Sequence, residues 1–520
     1  MIRLSLLLFV FLNFLVFSHR AISNDVNNLY LSQQLQDPVE VHWYNTRDTL
    51  FELRTIPQLR GFAELVNSGV DFYKQEVRLA NDIFLNDTTG WKDWEQDAMA
   101  DLEQWTPIGG EDKPFSGTFD GQGHTVYGLY INRGMGSYYQ GLFGLVLNGR
   151  IRDVQLKASY IRAHDHIGGI AGMIGYKSEI RGCTFSGKIR AMGHMIGGIA
   201  GKAEEYNRII DCANMGDIHG QRRVGGIVGS FMWGSFYNCF NRGHVNGRHE
   251  RVGGIAGALL DGSLYDLRRL EEGYELNKGI VRDIDKRSGR LRGTRDTFAN
   301  NYNTGTISGE DMIGGIAGSF ADIQTNVLDK TSSGEVPFGN GEETGVQNLI
   351  PNYFEEGVTD RNTPIDSLLR FFRISVGKGT YFANCYNAGE ISSRYPVYTD
   401  GLIGHYGWNW RRSVYLLDRR GDSCYWSDGS VIPVKLETQR LPRNMRDFES
   451  EIQKDIYTIR SPKVFEQMPD DAMRSTVFVE QLNTWADKYG RSFKRWRMDD
   501  EDVNAGDPVL ESFLMIHCYY

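Results

Sequence analysis

Along the middle of this chain, apolar and polar positions fall into short blocks rather than helical stripes. One apolar residue stands directly before a Gly-Gly pair at Ile167, Ile196, Val224, Val252 and Ile313. Each pair opens a pentapeptide: Gly168–Gly172, Gly197–Gly201, Gly225–Gly229, Gly253–Gly257 and Gly314–Gly318. The first four copies start 29, 28 and 28 residues apart. Looser copies flank them at Gly141-Leu142-Phe143-Gly144 and Gly401-Leu402-Ile403-Gly404. After each pentapeptide and a variable turn comes a second signature. It reads Cys-x-Asn-x-Gly-x-Ile/Val at Cys212–Ile218, Cys239–Val245 and Cys385–Ile391. Asn301 replaces the Cys in one repeat, and Phe185 replaces the Asn in another. The pattern predicts two or three strands of about 3–5 residues per repeat, separated by Gly or polar turns.

A period of 20–50 residues indicates a solenoid, propeller or array. A propeller blade needs about 40–45 residues, so the shorter spacing predicts one coil of a parallel β-helix. The expected fold is all-β: a single right-handed parallel β-helix of roughly 28-residue coils. Equivalent positions would then stack at about 4.8 Å. Ile170, Ile199, Ile227, Ile255 and Ile316 should form an inward aliphatic ladder, and the Asn row should sit at a turn, its amides bonded to the next coil. Cys183, Cys212 and Cys239 share one register, so they should stack as buried thiols; parallel stacking suits no disulfide.

Both ends carry different patterns. Thr55 can cap a helix with Pro57 in its first turn and Leu59, Phe62, Ala63 and Val66 on one face. That helix would cover the open end of the stack. Helix-like stretches such as Ser475–Tyr489 mark an α/β cap at the other end. Met1-Ile2-Arg3 and the apolar run Leu4–Phe17 look like a secretory signal, too short to span a bilayer. The expected organisation is a signal peptide over 1–21, an extension with the capping helix over 22–76, repeats over 77–430 and a C-terminal cap over 431–520. After signal cleavage no integral membrane segment is expected, which places the protein outside the cell or on its surface.

These residues resemble the GLUG-motif repeat proteins of bacterial surfaces. Gly141-Leu142-Phe143-Gly144 carries the signature itself. Trp105–Gly109 and Phe115–Gly121 are similar to its usual lead-in, and Leu65–Gly69 and Leu79–Leu85 to the family's first helix and strand. Asn504–Leu510 is similar to the closing motif, with Asp507 where an aromatic is usual. The resemblance spans about residues 50–510 and implies a β-helix-like repeat. It also implies a role among surface proteins, adhesin-like proteins and the stalks of some immunoglobulin-cleaving metallopeptidases.

Composition narrows function only a little. The chain of 520 residues has 60 Gly and 13 Pro, as many tight turns without disorder require. A net charge of −9 disfavours nonspecific nucleic-acid binding. Two insertions enter at the same turn, roughly 267–297 and 321–379. The first holds nine basic against six acidic residues, the second five against nine. Insertions on one face often mark the binding face. The same turn is rich in aromatics, including Tyr176, Tyr206, Phe231, Trp233, Trp408 and Trp410. The expected ligand contacts are Trp233, Trp408, Trp410, Tyr176 and Tyr206, with Arg268 and Arg269 on a basic wall. A second row, Arg162, Arg190, Arg222, Arg223, Arg248 and Arg251, could bind an acidic partner or simply protect an edge.

Catalytic signatures are absent. No acidic pair recurs on one register, His249-Glu250 lacks the second His of a zinc helix, and no nucleophile elbow or phosphate loop occurs. His164, His166, His194, His219, His244 and His249 gather near the second turn but mostly at different offsets from the next Gly-Gly. No catalytic residue, metal or cofactor is therefore expected. The expected function is adhesion to, or binding of, an extracellular glycan or a host or neighbour-cell protein. A polysaccharide lyase or glycosidase is the alternative, and a stalk or scaffold a second one.

Overall fold

The computed structural model describes residues 39–96, 102–261, 297–322, 381–394, 399–405, 422, 424–430, 465–489, 492–500 and 503–511. The signal segment 1–21, the insertion 267–297 up to its last residue and almost all of 321–379 lie outside them. So do Arg268, Arg269, Trp408 and Trp410.

Parallel β-structure dominates, with little helix. Two large parallel sheets account for nearly every strand. Among the described residues the one antiparallel pair is Trp496–Arg497 with Val509–Leu510. The register joins repeat to repeat. Ile167 pairs with Ile196, Ile196 with Val224, Val224 with Val252 and Val252 with Ile313. The Ile170, Ile199, Ile227, Ile255 and Ile316 ladder is fully buried. Phe236, Phe298 and Phe382 form a second inner ladder, their rings stacked at centroid distances of 4.8 and 5.1 Å.

The two sequence signatures pack against each other. The second Gly of each pair faces the Asn row from across the core. A Cβ on Gly226 would lie 2.2 Å from the Gly254 carbonyl oxygen and 2.5 Å from Asn241 Cγ. Gly198, Gly254 and Gly315 face Asn214, Asn303 and Asn387 in the same way, and Gly169 faces Phe185 in the repeat that lacks the Asn. The Asn row bonds along the stack as expected. Asn214 Nδ2 donates to Asn241 Oδ1, Asn241 to Asn303 and Asn303 to Asn387, at 2.7, 2.7 and 2.8 Å. These partners lie 27, 62 and 84 residues apart in sequence. Cys183, Cys212, Cys239, Cys385 and Cys424 are buried and unpaired by disulfides.

A second amide ladder runs beside the first. Asn238, Asn300 and Asn384 hold positive φ at the residue before each Cys or Asn301, a conformation Asn tolerates better than most residues. Asn384 Nδ2 donates to Asn300 Oδ1, Asn300 to Asn238 and Asn238 to Asp211, at 2.7, 2.8 and 2.9 Å.

The N-terminal helix spans Ile56–Asn67. Thr55 Oγ1 accepts from Gln58 N, Pro57 sits in the first turn, and Leu59, Phe62, Ala63 and Val66 are buried. Phe62 packs on Phe115, Phe119 and Phe143. At the other end, Phe465–Met468 adds a strand beyond Cys424–Ser427. The helix Thr476–Tyr489 lies along the side of the stack rather than over its end. Phe478 and Leu482 cluster with Phe240, Tyr302, Tyr386 and Tyr425, and Trp485 and Ala486 with Ala299 and Ala383. The backbone of this region also caps the second amide ladder: Ser492, Lys494 and Leu482 carbonyls accept from Asn238, Asn300 and Asn384.

Candidate functional site

A groove of about 580 Å³ crosses four successive strands of the second sheet, with Ala191 of a fifth at its edge. Register places two rows in it. His219, Asn246, Ser308 and Ser392 stack as one row, Gly220, Gly247, Gly309 and Ser393 as the next. Gln221, Arg248, Glu310 and Arg394 form its far wall. The glycines bring the bend close over the core: a Cβ on Gly247 would meet Val252 Cγ2 at 2.2 Å. Asn246 Nδ2 donates to Ser308 Oγ at 2.6 Å along the floor. Glu310 accepts from Arg394 at 3.1 Å and pairs with His249 Nδ1 at 3.1 Å.

Acidic groups gather behind that wall. Asp311 pairs in register with Glu250, and Glu310 precedes it in the chain. Burial pushes the Asp311 carboxyl up to about 7; the Met312 N–H opposes this, while Glu250 and Glu310 add to it.

At the other rim, one strand and its neighbour bring Asp217, His219 and His244 together. Asp217 and His244 are register partners, and His219 lies two residues beyond Asp217 on the same face. His219 Nε2 lies 2.9 Å from Asp217 Oδ1. The Arg190 guanidinium donates to Asp217 Oδ2 at 2.6 Å and to Glu95 at 2.9 Å. Burial opposes the Asp217 charge, but the His219 and Arg190 hydrogen bonds outweigh it and hold the carboxyl well below its ordinary range. Burial lowers His244, with Asp217 pulling the other way. Its Nδ1 lies 2.6 Å from Thr306 Oγ1. Sequence reasoning missed this cluster because it counted histidine offsets from the following Gly-Gly. Counted from the preceding Asn-x-Gly, Asp217 and His244 each follow the Gly directly.

Of the residues expected to bind ligand, those within the described chain sit elsewhere. Tyr176, Tyr206 and Trp233 share a bend in the first sheet, whereas the groove belongs to the second. Tyr176 is half-buried, with Lys177 Nζ 5.6 Å from its ring centre. The backbone of Trp233 lies within Val228–Tyr237. Both insertions open at this bend. Asp261 and Asp322, where they leave, are register partners, as are Thr297 and Tyr381, where the described chain resumes. Of the second Arg row, Arg248 lines the groove and Arg190 holds Asp217.

No protein-family model and no curated protein matches the chain. Among solved structures it is similar to a candidate immunoglobulin A1 protease from Bacteroides ovatus. The identity is 15% and the TM-score 0.42, covering 89% of this chain and 92% of that one.

Proposed function

We propose that the chain is a GLUG-type right-handed parallel β-helix of roughly 28-residue coils, exported, and that it binds an extracellular glycan or a host or neighbour-cell protein without catalysis. The observation that carries this reading is the groove. Four stacked strands repeat hydroxyl, amide and charged side chains over roughly 14 Å of the stacking direction, taking about 4.8 Å per strand. A polar, chain-like ligand meets similar positions at each step of such a surface. Arg248 and Arg394 beside Glu310 leave the wall with a small excess of positive charge, which favours an anionic chain. No helix among the described residues is long and apolar enough to cross a membrane.

One observation favours a second reading, a carbohydrate-active enzyme. A carboxyl raised to about 7 at Asp311 lies next to Glu250 and Glu310. A carboxyl with a raised pKa beside a second carboxyl is an arrangement that glycoside hydrolysis uses. Incubating the protein with a panel of anionic and neutral polysaccharides, and assaying both retention and new reducing or unsaturated ends, separates the readings. Retention without products supports binding. Depolymerisation abolished by Asp311→Asn or Glu310→Gln replaces it with catalysis, and neither response leaves the stalk or scaffold.

A further inference from the structure

We propose that Asp217, His219 and His244 form a three-ligand site for a divalent first-row transition ion, for which Zn²⁺ is the probe, at the rim of the groove. One ligand atom from each of the three residues lies within 4.8 Å of the others. Two ligands of a tetrahedral zinc sit about 3.4 Å apart, given bonds of about 2.0–2.2 Å. Small side-chain rotations therefore close the set. The backbone needs no change, because Asp217 and His244 are fixed opposite each other by the ladder and His219 follows on the same strand.

The surroundings suit the chemistry of such ligands. Arg190 binds Asp217 Oδ2 and leaves Oδ1 toward His219. Glu95 offsets the Arg190 charge that would otherwise repel a cation. His244 Nδ1 lies 2.6 Å from Thr306 Oγ1, and the tautomer that donates Nδ1–H to that hydroxyl would present its lone pair on Nε2. A hydrogen bond at the other ring nitrogen fixes the tautomer and orientation of a metal-binding imidazole. Two imidazoles and one carboxylate favour Zn²⁺ or a neighbouring transition ion over Ca²⁺ or Mg²⁺, which prefer an all-oxygen shell. His219 also lines the groove, which sets the proposed site at its edge. The site rests on these residues alone and does not require the groove to bind a glycan or protein.

The test is titration of the full chain, stripped with a chelator, with Zn²⁺ and separately Ca²⁺. Isothermal calorimetry and the melting temperature are the readouts. The expected result is one equivalent of Zn²⁺ bound, a raised melting temperature and no response to Ca²⁺. His219→Gln and His244→Gln should each weaken Zn²⁺ at least about tenfold while leaving the metal-free melting temperature nearly unchanged. The distant His124→Gln should leave Zn²⁺ affinity as it was. Absence of stoichiometric Zn²⁺ binding, or binding unchanged in both variants, overturns the site. Polysaccharide retention in chelator is read separately, so loss of one activity does not imply loss of the other.

Discussion

At the scale of single residues, two coupled rows set the repeat. Asn241 Oδ1 accepts from Asn214 Nδ2 and Gly243 N, and its Nδ2 donates to Asn303 and to the Gly243 carbonyl. Removing the amide leaves buried partners unmade, at about 1–3 kcal/mol for each unsatisfied group. Asn241→Ala should therefore lower stability by about 2–4 kcal/mol in chemical denaturation. Gly226 faces that amide with no room for a methyl group. Gly226→Ala should yield little soluble protein, whereas Gly123→Ala, whose Cβ meets nothing within 4 Å, should fold with at most a modest loss from its positive φ. Equal yields would refute the packing role of the pair. The Gly-Gly spacing and the Cys-x-Asn-x-Gly frame were both legible in the sequence, since each recurs at a constant offset. Their contact was not, because it crosses the core between positions that no periodicity links. The second amide ladder was also hidden. Asp211, Asn238, Asn300 and Asn384 read as ordinary turn residues until register stacks them.

Between elements, outward positions follow what covers them. The residue after each Cys or Asn301 runs Thr184, Ala213, Phe240, Tyr302, Tyr386 and Tyr425. Small residues stand at the start of the row. Aromatic rings begin where Phe478, Leu482 and Trp496 lie over them. The C-terminal helix was legible as a helix, but the sequence placed it over the end of the stack. Its real site was recorded only in this gradient of side-chain size. Leu482→Ala should cost about 2–4 kcal/mol, measured by denaturation, because it opens a cavity over Tyr386 and Tyr425. The acidic seam between neighbouring strands makes a separate prediction. Asp311 has a folded pKa of about 7 against about 4 unfolded. A raised acid loses stability as pH climbs from the unfolded value to the folded one. Asp311→Asn should therefore stabilise the protein at pH 8, by about 1–2 kcal/mol after allowing for solvent screening, and change little near pH 4. A melting-temperature gain that is the same at both pH values would refute it.

For the whole molecule, two corners compete for the ligand. The bend of Tyr176, Tyr206 and Trp233 carries both insertions and lies in the first sheet. The groove lies in the second, where register stacks His219, Asn246, Ser308 and Ser392. Sequence alone favours the first corner, because insertions and aromatics are conspicuous in a repeat. A groove made of Asn, Ser, Gly and Arg looks like ordinary turn composition until four strands are laid side by side. The corners differ in the energetics they offer. A Trp anchor typically contributes about 2 kcal/mol, roughly thirtyfold in affinity. A charged hydrogen bond from Arg248 contributes about 1.5–3 kcal/mol when its partner is an anion, at least tenfold, and weakens with salt. Once a retained polysaccharide or protein is identified, Arg248→Glu should reduce affinity at least tenfold without changing the melting temperature. Trp233→Ala and Trp408→Ala should leave that affinity within about threefold, well short of an anchor's effect. The reverse result, affinity lost with the tryptophans and kept with Glu at 248, moves the binding face to the insertion side. A lowered melting temperature in Trp233→Ala with affinity intact instead assigns that ring to packing beneath the first insertion.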